Sequence, residues 1–272
     1  MTDETVGGTR GTAVVTGASA GIGAVYAARL AARGYDLILA ARRADRLDAL
    51  AERLRAAHGV SIRTVATDLS RGHELETFAN LIGQDASVTL LVNNAGTSTL
   101  GPVAETSFAA AEAMNDLNIR ALVQLTLAVL PGFKARDHGA IVNIGSVLGF
   151  KALPISTIYS ATKAYVAFFT RGLVEELAGT GVKVQLVAPA ATATDIWDLS
   201  GVPLSALDPA IVMDVEAMVD AALAGLDAGE VITMPSVEDA DRLVTEFDAA
   251  TLALLGASQT GAPASRYLSP VA

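Results

Sequence analysis

The chain has 272 residues, 51% of them hydrophobic and 18% charged, and its 19 basic against 29 acidic side chains leave a net charge of −10. That balance excludes an intrinsically disordered chain and disfavours a polyanion partner such as nucleic acid, so any phosphate must be caught locally. Cysteine is absent, which removes disulfides, thiolate nucleophiles and cysteine metal sites and permits a reducing compartment.

The first ten residues are polar and acidic, unlike a secretion signal, and are expected to form a flexible N-terminus (1–10). No apolar run looks long enough to span a bilayer, so the expectation is a soluble, cytoplasmic protein. From Thr12 onward, short β-branched runs alternate with helical stretches. Strands are expected at Thr12–Thr16, Asp36–Ala40, Ser61–Ala66, Thr89–Asn93, Gly139–Ile144 and Lys183–Ala188, with a last one possible at Glu230–Thr233. Helices are expected to start near Ile22, Asp45, His73, Ser107, Tyr159 and Glu216. Apolar strands separated by helices predict a mainly parallel sheet covered on both faces: a doubly wound α/β, Rossmann-type domain of about seven strands. No repeat, charge block or linker divides the chain, which reads as one domain, 1–272.

The first strand runs through Gly17, Ser19, Gly21, Ile22 and Gly23 into a helix. In that context glycines let a pyrophosphate approach the helix N-terminus, where free amides such as those of Ser19 and Ile22 and the helix dipole favour an anion. The same glycines could instead only close a strand-to-helix corner. The second strand then selects the nucleotide. An acid at its end would hold the ribose hydroxyls of NAD, but here Ala40 and Ala41 lead into Arg42 and Arg43. A guanidinium suits the 2′-phosphate of NADP, so NADPH is the expected cofactor, against the reading of both arginines as a solvated helix start. Arg46 fits that second reading better.

Tyr159 and Lys163 stand four residues apart on one face of the expected fifth helix. A free phenol has a pKa of about 10, and an ammonium one turn away can stabilise its phenolate. Taken alone the pair is an ordinary helix-surface motif. Beyond it, the segment 189–209 carries the only tryptophan, Trp197, among glycine and proline, and reads as a substrate lid. Residues 257–272 form a tail rich in Gly, Ala, Ser and Pro.

Thr16-Gly17-x-x-x-Gly21-x-Gly23, Asp68-Leu69, Asn93-Asn94-Ala95-Gly96, Asn118, Ser146, Tyr159-x-x-x-Lys163 and Pro189 to Thr194 occur in an order and at spacings that resemble the short-chain dehydrogenase/reductase family, in its compact NADP-preferring branch, over roughly Thr12 to Thr194. The resemblance implies that Tyr159 exchanges a proton with the substrate oxygen, that Lys163 lowers the tyrosine pKa and bonds the nicotinamide ribose, and that Ser146 holds the carbonyl oxygen. It implies that Asn118 places a water linking the lysine to solvent. Asp68 would contact the adenine, Asn93 and Asn94 would stabilise the end of a strand with Asn93 and Gly96 also near the ribose, and Thr192 and Thr194 would contact the carboxamide, with Leu69, Asn94, Ala95 and Pro189 as further cofactor contacts. Bland alternatives stay open: Ser146 bonding its own turn, Asn118 stabilising an irregular helix, Asp68 capping one. Two departures are Gly145-Ser146, where the family often has two serines, and Pro189-Ala190, where it often has Pro-Gly.

Val147, Leu148, Leu153, Ile155, Ile196 and Trp197 are the expected substrate walls. The function this implies is NADPH-dependent reduction of a ketone or aldehyde, as in a carbonyl reductase or ketoreductase. An idle NADP-binding scaffold on the same fold is the alternative from another class, and sugar-nucleotide epimerisation a second enzyme reading. His58, His73 and His138 lack metal-ligand spacing, and no metal, haem or flavin is expected. In this family the helices matching 107–134 and 159–178 pair across subunits, so a homodimer or homotetramer is expected.

Overall fold

In a computed structural model of the chain, residues 10–268 are described. The chain divides into two compact units, Met1–Ser236 and Val237–Ala272. The expected flexible N-terminus lies outside the described residues apart from Arg10, as does the end of the expected 257–272 tail.

The first unit is a doubly wound α/β domain. Its elements are β1 (Thr12–Thr16), α1 (Gly21–Ala32), β2 (Asp36–Ala41), α2 (Ala44–His58), β3 (Ile62–Ala66), α3 (Gly72–Gly83), β4 (Val88–Asn93), α4 (Phe108–Asn115), a π-helical turn (Asp116–Ala121), α5 (Leu122–Arg136), β5 (Gly139–Ile144), α6 (Thr157–Glu176), β6 (Val182–Val187), α7 (Ile196–Ser200), α8 (Val215–Ala228) and β7 (Ile232–Thr233). All seven strands are parallel, in the order β3-β2-β1-β4-β5-β6-β7. Every expected strand is present, its ends shifted by a residue or two at most.

The alternation of side chains along β1 explains why both of its faces must be apolar. Val15 joins Tyr26, Leu30, Leu47, Leu50, Val219 and Leu223 on one side of the sheet. Its neighbour Val14 joins Phe78, Ile82, Leu125, Val129 and Phe133 on the other. With β1 beside β4, the strand order reverses between them, which opens a crevice at their carboxyl ends.

Between β4 and β5 the interior is polar. Asn93 and Asn143 are register partners. The Asn93 amide donates to Asn143 Oδ1 (2.9 Å) and to Thr126 Oγ1 (3.1 Å), and the Asn143 amide donates to Thr170 Oγ1 (3.0 Å). All four side chains are buried, so the network ties both strands to α5 and α6. This corrects the placement of Asn93 near the cofactor: as the last residue of β4 it faces the helices, and Asn94 takes the turn.

Ser107 caps α4, its hydroxyl accepting from the Ala110 amide at 3.2 Å. The long helix expected from there to Lys134 is interrupted by the π-helical turn, which carries Asn118. The second unit holds a helix that the sequence reading did not anticipate, α9 (Ala240–Ser258), whose last turn overlaps the start of the expected tail. Among the described residues, no helix is long and apolar enough to cross a membrane.

Candidate active site

The turn after β1 and the ends of β2, β4, β5 and β6 border a cleft of about 720 Å³. Gly17, Ser19, Gly21 and Ile22 line it. The first amides of α1 are free of any side-chain cap, as an anion-binding helix start requires. Gly23 lies behind the lining instead: a Cβ there would overlap the Gly17 carbonyl oxygen and approach Asn94 Nδ2 to 2.6 Å, so its absence lets α1 close on the turn. Thr16 anchors the floor, its hydroxyl accepting from the amides of Asn94 (3.0 Å) and Ala95 (2.9 Å). Asn94 Nδ2 returns a bond to the Thr16 carbonyl at 2.8 Å. Asn94, Ala95 and Gly96 all line the cleft.

At the end of β2 the wall is cationic: Arg42, Arg43 and also Arg46, which the sequence reading had left to solvent. Arg42 has no hydrogen bond or ion pair among the described residues, whereas Arg43 donates to Ser19 Oγ from Nε and Nη2 at 3.3 and 3.2 Å. Asp68 and Leu69 close this end. Asp68 does not cap α3, whose N-cap is Arg71; its carboxylate instead accepts from the Ser70 amide (3.1 Å) and hydroxyl (2.7 Å). Burial raises the Asp68 pKa, but those bonds and the charges of Arg42 and Arg71 outweigh it and hold the group below the usual carboxylate value. Three guanidinium groups, one of them uncommitted, beside a glycine cradle and with no acid at the end of β2, fit a dinucleotide with an additional phosphate.

Ser146, Tyr159 and Lys163 meet at the other end. Ser146 follows β5, and Gly145 before it has a structural cause: a Cβ there would come within 2.7 Å of Leu186 Cδ1 in the core. The Ser146 hydroxyl accepts from the Leu148 amide at 3.1 Å, so the turn-bonding role is realised; its side chain also acts on the Tyr159 hydroxyl, opposing the rise in its pKa. Lys163 is buried, donates to the Ile144 carbonyl at 2.8 Å, and lies 5.8 Å from the centre of the Tyr159 ring. Burial pushes the Tyr159 hydroxyl up to about 12 against the opposing bond from Ser146, and burial brings Lys163 down to about 8. The net shift of the tyrosine is therefore opposite to the lowering expected from its lysine neighbour, because desolvation of the phenolate dominates. A phenol so shifted stays protonated at neutral pH and can donate.

Asn118 is buried and outside the cleft lining. Its Oδ1 accepts from the Thr97 amide (2.8 Å), and its amide donates to the Thr97 carbonyl (3.0 Å) and Thr162 Oγ1 (3.0 Å). It braces the loop after β4 against α6, one residue from Lys163. A Cβ placed on Gly96 would lie 3.2 Å from Asn118 Oδ1 and 3.8 Å from Lys163 Nζ, which puts the asparagine near the lysine with Gly96 between them.

Pro189, Thr192, Thr194, Val147, Leu148, Leu153, Ile196 and Trp197 line the cleft as expected, as does Ala190. Ile155 does not: it is solvent-exposed, and its carbonyl accepts from the Gly101 amide at 2.7 Å. The sequence reading missed Leu100, Leu117, Leu199, Leu207 and Ile211, which complete the apolar wall, and the polar Ser98 and Asp195. Ser98 and Leu100 stand two and four residues after Gly96, a proximity that could have marked them. Trp197 Nε1 donates to the Thr192 carbonyl at 2.8 Å. His58, His73 and His138 are exposed, and among the described residues no group of three or more His, Cys, Asp or Glu side chains could hold a metal.

Residues 11–201 match the sequence model of a family described as short chain dehydrogenase. A solved structure of a short-chain dehydrogenase from Sphingobium yanoikuyae in complex with NADPH is 42% identical, with a TM-score of 0.90 over 94% of this chain and 100% of that one. The bulky-bulky ketone specific alcohol dehydrogenase from Comamonas testosteroni is 39% identical, with a TM-score of 0.87 over 96% of this chain and 100% of that one. Very-long-chain 3-oxoacyl-CoA reductase-A of Danio rerio is 38% identical over 188 residues, 67% of this chain but only 58% of that protein.

Proposed function

This chain belongs to the short-chain dehydrogenase/reductase family, and on that footing we propose that it is an NADPH-dependent reductase of ketones or aldehydes, with Tyr159 as the proton donor. One observation carries the reading: Ser146, Tyr159 and Lys163 line the same cleft as Ser19, Arg42 and Arg43, reacting groups at one end and phosphate-binding groups at the other. The cofactor supplies the hydride when bound, its pyrophosphate held by Gly17, Ser19, Gly21 and Ile22 and its 2′-phosphate by Arg42 and Arg43. Ser146 hydrogen-bonds the substrate oxygen. Tyr159 Oη gives that oxygen its proton, general acid catalysis at the atom where negative charge develops. Lys163, with one donor on Ile144, has others for the cofactor ribose, and its charge stabilises the phenolate as the proton leaves. Asn118 braces the loop after β4 against α6, and in this reading a water beside it joins Lys163 to solvent.

Burial keeps Tyr159 as the neutral phenol, the form that gives a proton in the reductive step. Burying the Lys163 ammonium costs stability, which an idle scaffold would have no reason to bear. The wall favours an uncharged ketone with bulky apolar substituents, a reading supported by the likeness to the bulky-bulky ketone specific enzyme of Comamonas testosteroni. Val147, Leu148, Ile196, Trp197 and Leu199 present apolar surface, and besides Lys163 the cations lining the cleft are the three arginines at the cofactor end. A coenzyme A ester would find no partner there for its phosphates. A steady-state screen tests this: NADPH oxidation with diaryl or branched ketones, and little with 3-oxoacyl-CoA, is expected, and no oxidation with any carbonyl compound would overturn it.

Leu127 (61% exposed) on α5 and Tyr165 and Phe168 on α6 leave apolar surface on the helices that would pair in a homodimer or homotetramer. Light scattering at micromolar protein tests that assembly. The cytoplasm, where NADPH is abundant, is the proposed location.

A further inference from the structure

We infer that Asp195 is a cofactor-discriminating residue: its carboxylate stands on Arg43 and Arg46 in the place of a 2′-phosphate, so the phosphate and the N-terminal end of α7 compete for the same guanidinium groups. The inference rests on the NADPH reading above and adds to it a residue that neither the motifs nor the catalytic set assigns.

Asp195 occupies the N-cap position of α7, where an aspartate ordinarily accepts from the first-turn amides, yet its side chain makes no such bond. It reaches across the cleft instead. Its Oδ2 lies 3.4 Å from Arg46 Nη1 and 3.9 Å from Arg43 Nη1. Arg43 in turn donates to Ser19 of the phosphate turn. One carboxylate oxygen thus bridges two cations beside the cradle, and a phosphate dianion arriving at Arg43 would meet a like charge within contact distance. The carboxylate must then leave or the phosphate must bind less well.

The two ends of α7 are fastened unequally. At its C-terminal end the Ser200 carbonyl accepts from the Leu100 amide at 2.7 Å, and the Ser200 hydroxyl donates to the Trp197 carbonyl and accepts from the Val202 amide. The N-terminal end is held to the cofactor side by Asp195, whose side chain is 61% exposed, and by arginines 43% and 49% exposed. Ion pairs this exposed shift an equilibrium by about fivefold at most, so a phosphate with more and better-aligned bonds displaces them. Ile196 and Trp197 follow Asp195 directly and form part of the substrate wall. Binding of a 2′-phosphate therefore releases the first turn of α7 and moves that wall, whereas a cofactor without the phosphate leaves the tie in place.

Trp197 is the only tryptophan and sits two residues from Asp195, so its emission reports the state of this end. The full chain is titrated with adenosine 2′,5′-bisphosphate and with adenosine 5′-monophosphate, by calorimetry and by Trp197 fluorescence. In the wild type the bisphosphate should bind tighter and shift the emission, and the monophosphate should leave it unchanged. Asp195→Asn should bind the bisphosphate about two- to fivefold tighter at low salt, bind the monophosphate unchanged, and show from the outset the emission that the wild type reaches only with bisphosphate. An Asp195→Asn variant that gains no affinity for the bisphosphate, or a wild-type emission that responds alike to both nucleotides, overturns the inference and leaves the NADPH reading standing. Equal wild-type affinity for the two nucleotides overturns that reading and the inference with it.

Discussion

At one end of the cleft Ser146, Tyr159 and Lys163 are held by β5 and α6, with the lysine buried and tied to Ile144. At the other, Arg42, Arg43 and Arg46 stand exposed between β2 and the first turn of α2. Burial changes what a group does with a proton: it raises the tyrosine, which stays a neutral phenol, and lowers the lysine toward the range where a proton can be exchanged. Exposure leaves the arginines able to change partners, Asp195 for one and a phosphate for another. The first end is suited to chemistry and the second to recognition.

Substitutions at each end should therefore fail in different measurements. Tyr159→Phe should lower kcat for ketone reduction by about 10²- to 10⁴-fold with NADPH affinity within about twofold, by steady-state kinetics and cofactor titration; retained turnover would remove the proton donor from the reacting end. Lys163→Met should alter the dependence of stability on pH. The folded pKa of Lys163 is about 8 against 10.5 for the free side chain, so between those values the unfolded chain binds more protons and stability rises with pH. Wild type should gain about 3 kcal/mol relative to Lys163→Met across that window in urea unfolding, and parallel curves would mean the ammonium is not desolvated. Arg42→Asp should weaken NADPH by about 10- to 100-fold and NADH far less, by calorimetry, and equal losses would erase the division between the ends. Ile155→Ala should change kcat/KM by less than about twofold, since a surface side chain outside the cleft has no part in either end.

The strands were legible because continuous apolar runs have one reading in a sheet covered on both faces, and the cradle, Ser146, Tyr159 and Lys163 because their spacings match elements whose period is fixed. Side chains on irregular segments have no period. Ile155 was placed on the wall together with Leu153, while Leu207 and Ile211, which do line it, stand among turns that the sequence does not orient. Helix α9 was missed for a related reason: Leu243, Phe247, Leu252, Leu254 and Leu255 fall on more than one side of a helix, so no single apolar stripe announces it. Asp195 was passed over because its partners are about 150 positions earlier in the chain, a separation that no local pattern carries.

The amide pair Asn93 and Asn143 bears on how the chain finds this fold. Parallel neighbours with near-uniform Val, Ile and Leu can slide past one another at little cost, because one apolar side chain replaces another at each step. A slip of a single residue between β4 and β5 would turn one asparagine toward the opposite, apolar core and leave the other without its partner, along with Thr126 and Thr170. The polar rung thus acts as a key for alignment, and because Asn94 follows Asn93 directly and Ser146 stands three residues past Asn143, it sets the floor under the cofactor relative to the serine that meets the substrate.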